Sequence, residues 1–286
     1  MKNGLLIFVA WLIIISTGVV QAATDPCYDA VQSGKYQDAI TACTKQIESG
    51  GDEKIITAGY RYRGIAYLAT GKPDLAIADL DVAIQRDGSD ASSYSNRGVA
   101  YMSKKQFFLA TADLDKAIEL NPKDDVAYRN RGAIYMGKGQ PDQAISDFNK
   151  AIELNPGSDE AYNDRGAAYL SKGKVDLSIA DFSKAIQLNP KNDEPYRNRG
   201  AAQMAAGKFD AAEADLNKAI QLDPSDSRGY YNMACLQSLR KNITESCSWL
   251  QKAVDHGYNN WDHMKDDTDL ANVRAAACYQ KIMKDK

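Results

Sequence analysis

The dipeptide Arg-Gly recurs at Arg63-Gly64, Arg97-Gly98, Arg131-Gly132, Arg165-Gly166 and Arg199-Gly200, in steps of 34 residues without drift. So strict a period excludes an ordinary globular domain and demands stacked copies of one supersecondary unit. Proline keeps the same clock at Pro122, Pro156, Pro190 and Pro224, each after Asn or Asp. A length of 286 residues would otherwise suggest one or two globular domains; the register points to one array.

The segment 125–158 shows how a single unit works. Tyr128, Gly132 and Tyr135 fall on one helical face, Gly139 and Pro141 mark a turn, and Ala144, Phe148 and Ala151 repeat the helical spacing. Pro141 and Pro73 stand where a second helix begins, a position that tolerates the missing N–H. Pro156 cannot continue that helix and sends the chain to the next unit. Glycine inside a first helix costs about 1 kcal/mol relative to alanine, so five of them in register imply close approach of two backbones. Their expected partners are Ala76, Ala110, Ala144, Ser178 and Ala212, with Leu80, Leu114, Phe148, Phe182 and Leu216 filling the space alongside.

The spacing Tyr128, Gly132, Tyr135, Ala144, Phe148, Ala151, Pro156 resembles the tetratricopeptide repeat place for place, and the likeness extends over roughly 24–258. The resemblance implies an all-α, right-handed α-solenoid of about seven helix-turn-helix repeats with a C-terminal helical cap. The units run over 23–56 (degenerate), 57–90, 91–124, 125–158, 159–192, 193–226 and 227–258, with the cap at 259–286. The stretch from Tyr230 to Arg274 resembles the closing module of bacterial members; a solenoid needs such an end to cover its last apolar face.

Sixteen places after each repeated arginine stands an aspartate: Asp79, Asp113, Asp147, Asp181 and Asp215. Arg and Asp are absent together in the first and last units, so the pattern predicts internal ion pairs rather than an anion-binding row. Ten of the sixteen tyrosines, Tyr94, Tyr101, Tyr128 and Tyr135 among them, fill the aromatic places of the motif and are expected in the core.

Family members bind ligands on the concave side, lined by the first helices. The residues just before each repeated arginine (Tyr62, Asn96, Asn130, Asp164, Asn198), and Asn232 before Met233 at the same register, are expected to face it or its edge. An amide donates and accepts together, so Asn96, Asn130, Asn198 and Asn232 could grip an extended peptide backbone; bridging between adjacent repeats is the other reading. Arg61, Arg129 and Arg197, one place earlier, have no obvious internal partner in the sequence. They would pair with acidic side chains or a carboxylate of a ligand, or stay solvated. The carboxylate-clamp pattern of some members is not matched, for its lysines are missing.

Residues 1–22 read as a secretory signal peptide. Lys2 precedes an apolar stretch from Leu5 to Ile15, and Val20-Gln21-Ala22 supplies a small-residue cleavage site. A retained anchor is the rival, though the apolar run is short of the ~20 residues of a span. The expectation is a periplasmic or secreted protein without stable membrane insertion after cleavage. An oxidising compartment gives the five cysteines a use. Cys27 and Cys43 lie on the two helices of the weak first unit, and Cys247 and Cys278 could fasten the terminal helix to the last repeat. Cys235 stands where related intracellular proteins also carry cysteine and reads as a buried thiol.

The net charge of −3 is spread without basic blocks, which argues against nucleic acid or anionic lipid as partner. The two histidines, His256 and His263, lack metal-ligand spacing. No phosphate loop or nucleophile elbow is present, so neither enzyme activity nor a cofactor is expected. The function expected is that of an interaction scaffold for a protein or peptide partner of unknown identity; a structural subunit of an envelope assembly, docking through its convex face or ends, is the alternative.

Overall fold

The computed structural model describes residues 25–284, so the proposed signal peptide lies outside the described residues. Those residues form sixteen α-helices and one 3-10 turn, with no strand among them. They divide into two compact units between Leu154 and Asn155.

The first unit contains α1 (Pro26–Gln32), α2 (Tyr36–Glu48), α3 (Glu53–Ala69), α4 (Pro73–Arg86), α5 (Ala91–Ser103), α6 (Phe107–Leu120), α7 (Asp125–Gly137) and α8 (Pro141–Leu154). The second contains α9 (Asp159–Ser171), α10 (Val175–Leu188), α11 (Asp193–Ala205), α12 (Phe209–Leu222), α13 (Ser227–Leu239) and α14 (Ile243–Asp255). It closes with α15 (Trp261–Asp266), the 3-10 turn Thr268–Leu270 and α16 (Ala277–Met283). Within each unit, consecutive helices pack as hairpins and hairpins stack on one another, giving an α-solenoid.

The helix ends are written into the sequence. Asp90, Asp124, Ser158, Asn192 and Asp226 recur in register, and each side chain accepts a backbone N–H in the first turn of α5, α7, α9, α11 or α13. Between the two helices of a repeat the chain passes through a left-handed residue: Gly71, Gly139, Gly173 and Gly207 have φ of 70–71°. Lys105 (φ 59°) and Lys241 (φ 64°) occupy the same register without glycine's freedom.

The helical glycines give the packing its shape. A Cβ built on Gly132 would lie 2.6 Å from Phe148 Cε1, and one on Gly64 would lie 2.8 Å from Leu80 Cγ. The backbone carbonyl of Ala76 is next, 3.3 Å from that Gly64 position. The closest neighbour of each glycine is therefore the bulky side chain sixteen places on; the small residue at twelve matters because it lets the two backbones approach. Leu80, Leu114, Phe148, Phe182 and Leu216 are all buried as a result.

Each end is fastened covalently. Cys27–Cys43 joins α1 to α2 with Cα atoms 4.7 Å apart, and Cys247–Cys278 joins α14 to α16 at 6.0 Å, both within ordinary disulfide reach. Cys235 is a free, buried thiol whose pKa burial pushes well up. At the closing end Met264, Leu270, Val273 and Tyr279 are buried against α13 and α14, and the Tyr279 hydroxyl donates to the Met264 carbonyl at 2.9 Å.

Candidate functional site

The repeated arginines are structural. Arg63 grips Asp79 through Nε (2.7 Å) and Nη2 (2.8 Å), a bidentate fork. Arg97–Asp113, Arg131–Asp147, Arg165–Asp181 and Arg199–Asp215 repeat that geometry. The remaining Nη1 reaches the second helix of the preceding repeat: Thr44 for Arg63, Asp81 for Arg97, Asp115 for Arg131, Ser183 for Arg199. This third contact was not anticipated, although Asp81 and Asp115 stand sixteen places before Arg97 and Arg131 and could have shown it. Tyr94 and Tyr101 sandwich the Arg97 guanidinium at 5.5 and 5.9 Å, as Tyr128 and Tyr135 do for Arg131. Hydrogen bonds to the aspartates raise the pKa of all five arginines.

The candidates on the first helices separate into two groups. Asn96 is fully buried, its amide donating to the Ser92 carbonyl at 2.8 Å, and Asn130 is only 2% exposed. Asn96 Oδ1 and Asn130 Nδ2 find no hydrogen-bond partner among the described residues. Asn198 and Asn232 are half-buried. Asn198 donates to Asn163 Oδ1 at 2.9 Å, one repeat earlier, which is the bridging use of the amide.

Arg61 and Arg197 do have internal partners, contrary to the expectation from sequence. Arg61 Nη1 lies 3.0 Å from Asp90 Oδ2 and stacks beside Tyr62. Arg197 Nε lies 3.3 Å from Asp226 Oδ2, with Glu194 at 3.9 Å. Asp90 and Asp226 cap the next first helix, 29 places along the chain from Arg61 and Arg197. The expectation failed because it considered partners within one hairpin and missed the cap of the following one. Arg129 is buried as well. Burial lowers the Arg197 pKa, with Arg228 adding repulsion, and its Nε and Nη2 make no hydrogen bond of good geometry among the described residues.

At the closing end Tyr231 stacks on Tyr258 with centroids 4.2 Å apart, and its hydroxyl donates to Asp267 Oδ2 at 2.6 Å. Cys235 Sγ donates to the same oxygen at 3.6 Å, and His263 Nε2 lies 3.6 Å away. These contacts fix the cap to α13. Among the described residues no group of His, Cys, Asp or Glu could hold a metal ion, and no helix is long and apolar enough to cross a membrane.

Stacked helical hairpins with a polar first-helix face define a repeat-built interaction scaffold. Tetratricopeptide-repeat family models match 63–125, 126–158, 148–180 and 194–226, and a TPR-repeat model matches 166–206. Together they cover 63–226, more than half of the chain's 286 residues: the chain belongs to the tetratricopeptide-repeat family. No curated protein matches it in sequence. Among solved structures it is similar to a tetratricopeptide repeat protein from Parabacteroides merdae (21% identity, TM-score 0.64, 86% of this chain and 95% of that one). It is also similar to a chain of the APC/C hetero-tetramer Cut9–Hcn1 (15%, TM-score 0.74, 90% of this chain and 48% of that one). A third is YrrB, described as a TPR protein with an unusual peptide-binding site (24%, TM-score 0.51, 67% and 97%). At these identities the likeness is one of fold.

Proposed function

We propose that the protein is an exported, non-catalytic scaffold, working in the periplasm or after secretion, that binds an extended segment of a partner protein along its first-helix face. One observation carries the reading: Asn198 and Asn232 stay half-buried at the register where Asn96 and Asn130 are sealed in. Asn198 keeps its carbonyl oxygen for a ligand N–H, while its amide holds Asn163. The grip proposed is therefore centred on Asn198 and Asn232. Arg61 and Arg197 join neighbouring repeats through Asp90 and Asp226, while Asn96, Asn130 and Arg129 are buried. The peptide-binding site named for YrrB is consistent with such a use of the fold. Two disulfides suit an oxidising compartment, which agrees with the leader read in residues 1–22.

The test is in-cell photo-crosslinking from position 198 or 232, with Lys150 on α8 as the control position, beside the Asn198→Ala/Asn232→Ala double variant. Partners captured from the first-helix positions and lost in the double variant support the reading. Partners captured equally from Lys150, or unaffected by the alanines, refute it.

A further inference from the structure

Four second helices carry an aspartate at one register in the first turn: Asp74 in α4, Asp142 in α8, Asp176 in α10 and Asp210 in α12. An acid there complements the helix dipole. In α6 the same register holds Phe108, and α6 has no acid in its first turn. Phe108 is 83% exposed, the most exposed large apolar side chain among the described residues. Leu109 beside it is 42% exposed, and Leu75, at the Leu109 register one repeat earlier, is 49% exposed. The corners of these two repeats abut, for Lys104 forms an ion pair with Asp74. Lys138 of the following repeat reaches back to Thr111 Oγ1 at 3.3 Å.

Scattered surface leucines need no explanation, and Leu177 is one. Phe108 is different because two costs meet in one residue: the dipole-matching carboxylate is given up, and a ring is left in water. The turn before it is also altered. Lys105 replaces the glycine found at this place in five other hairpins (Gly34, Gly71, Gly139, Gly173 and Gly207) and accepts a left-handed φ of 59°. Leu75, Phe108 and Leu109 are thus exposed in the first turns of α4 and α6, where Asp74 is already paired with Lys104, leaving Lys105 and Lys138 as the cations of the adjoining turns on a chain whose net charge is −3.

We infer that this corner is a second docking surface, separate from the first-helix face, and that it takes an acidic amphipathic segment of another protein. The apolar side chains of that segment would cover Phe108, Leu75 and Leu109, while its carboxylates meet Lys105 and Lys138. Complementary charge selects this occupant. A second copy of the chain would bring its own lysine-edged corner, and an anionic membrane would meet an acidic molecule behind a single exposed ring.

The test uses three labelled synthetic peptides and the full-length mature protein. One peptide presents Leu and Phe on one helical face and Glu on the other; the second carries Lys for Glu, and the third Ala for the apolar residues. Anisotropy should show binding of the first alone, weakening as salt rises from about 0.05 to about 0.5 M. Phe108→Asp restores the residue used in four other repeats, so its melting temperature should equal or exceed that of the wild type. It should nonetheless weaken binding roughly tenfold or more, and Lys105→Glu with Lys138→Glu should do the same. No saturable binding of the acidic peptide, equal binding of the lysine peptide, or unchanged binding by Phe108→Asp would each overturn the proposal. So would sedimentation of the wild type as a dimer that Phe108→Asp dissociates, or Phe108-dependent binding to anionic vesicles in place of the acidic peptide.

Discussion

Asp124 keeps a carboxylate where little water reaches it. Its side chain caps α7 by accepting from Ala127 N at 3.0 Å, yet burial, with Asp125 adjacent, raises its pKa. A raised acid pKa means that the folded state holds the proton longer, so stability is lost as pH rises through the raised value. Asn192 caps α11 from the same register without a charge. Asp124→Asn should therefore be the more stable protein at about pH 7, with the gap closing towards about pH 3, where both side chains are neutral; urea melts at the two pH values read this directly. The arginine forks make the opposite kind of prediction. Arg131→Ala strands Asp147 and Asp115 and should cost about 2–3 kcal/mol, less than a fully sealed pair because the site is partly exposed. Exposed Lys138→Ala measured alongside should cost a fraction of that. These forks were legible in the sequence because Arg and Asp recur at a fixed offset. The partners of Arg61 and Arg197 were not, because Asp90 and Asp226 lie across a repeat boundary, 29 residues away at the cap of the next first helix.

At the scale of the element, the hairpin is fixed by what glycine omits. Gly132→Ala would push a Cβ to 2.6 Å from the Phe148 ring and should destabilise by about 1–3 kcal/mol, outweighing alanine's helix propensity. Gly137, at the end of the same helix, has nothing within 4 Å of such a Cβ; Gly137→Ala should be neutral or stabilising in the same denaturation assay. The turn lysines predict a gain. Lys105→Gly and Lys241→Gly relieve a left-handed residue worth about 1–2 kcal/mol, offset by about 0.4–1 kcal/mol of added unfolded-state entropy. The degenerate first hairpin depends on its disulfide. Reducing Cys27–Cys43 removes a cross-link worth about 3 kcal/mol in the chain-entropy model, so hydrogen exchange in α1 and α2 should rise first. Thiol alkylation of the unreduced protein should find one free cysteine, Cys235. Helices, turns and hairpin packing were readable from a 34-residue clock. Which asparagines are open and which are sealed was not, since Asn96, Asn130, Asn198 and Asn232 share one register and differ only in their neighbours.

On the scale of a whole unit, the repeats of the first unit are joined by contacts that respect the same period. Arg131 Nη1 holds Asp115, just as Arg97 Nη1 holds Asp81 one repeat earlier. A chain lacking 91–124 would therefore bring Arg131 to Asp81 in place of Asp115, and Asp90 would cap the helix that Asp124 caps now. The joint is indifferent to which copy stands beside which. Such an array can lengthen or shorten by whole repeats through unequal recombination and keep this junction, whereas gain or loss of another number of residues would disturb the junction where it falls. The altered corner at Phe108 is what such a lineage would leave behind once duplicated copies were free to diverge: the Arg–Asp fork kept in each copy, and one copy changed on its outside.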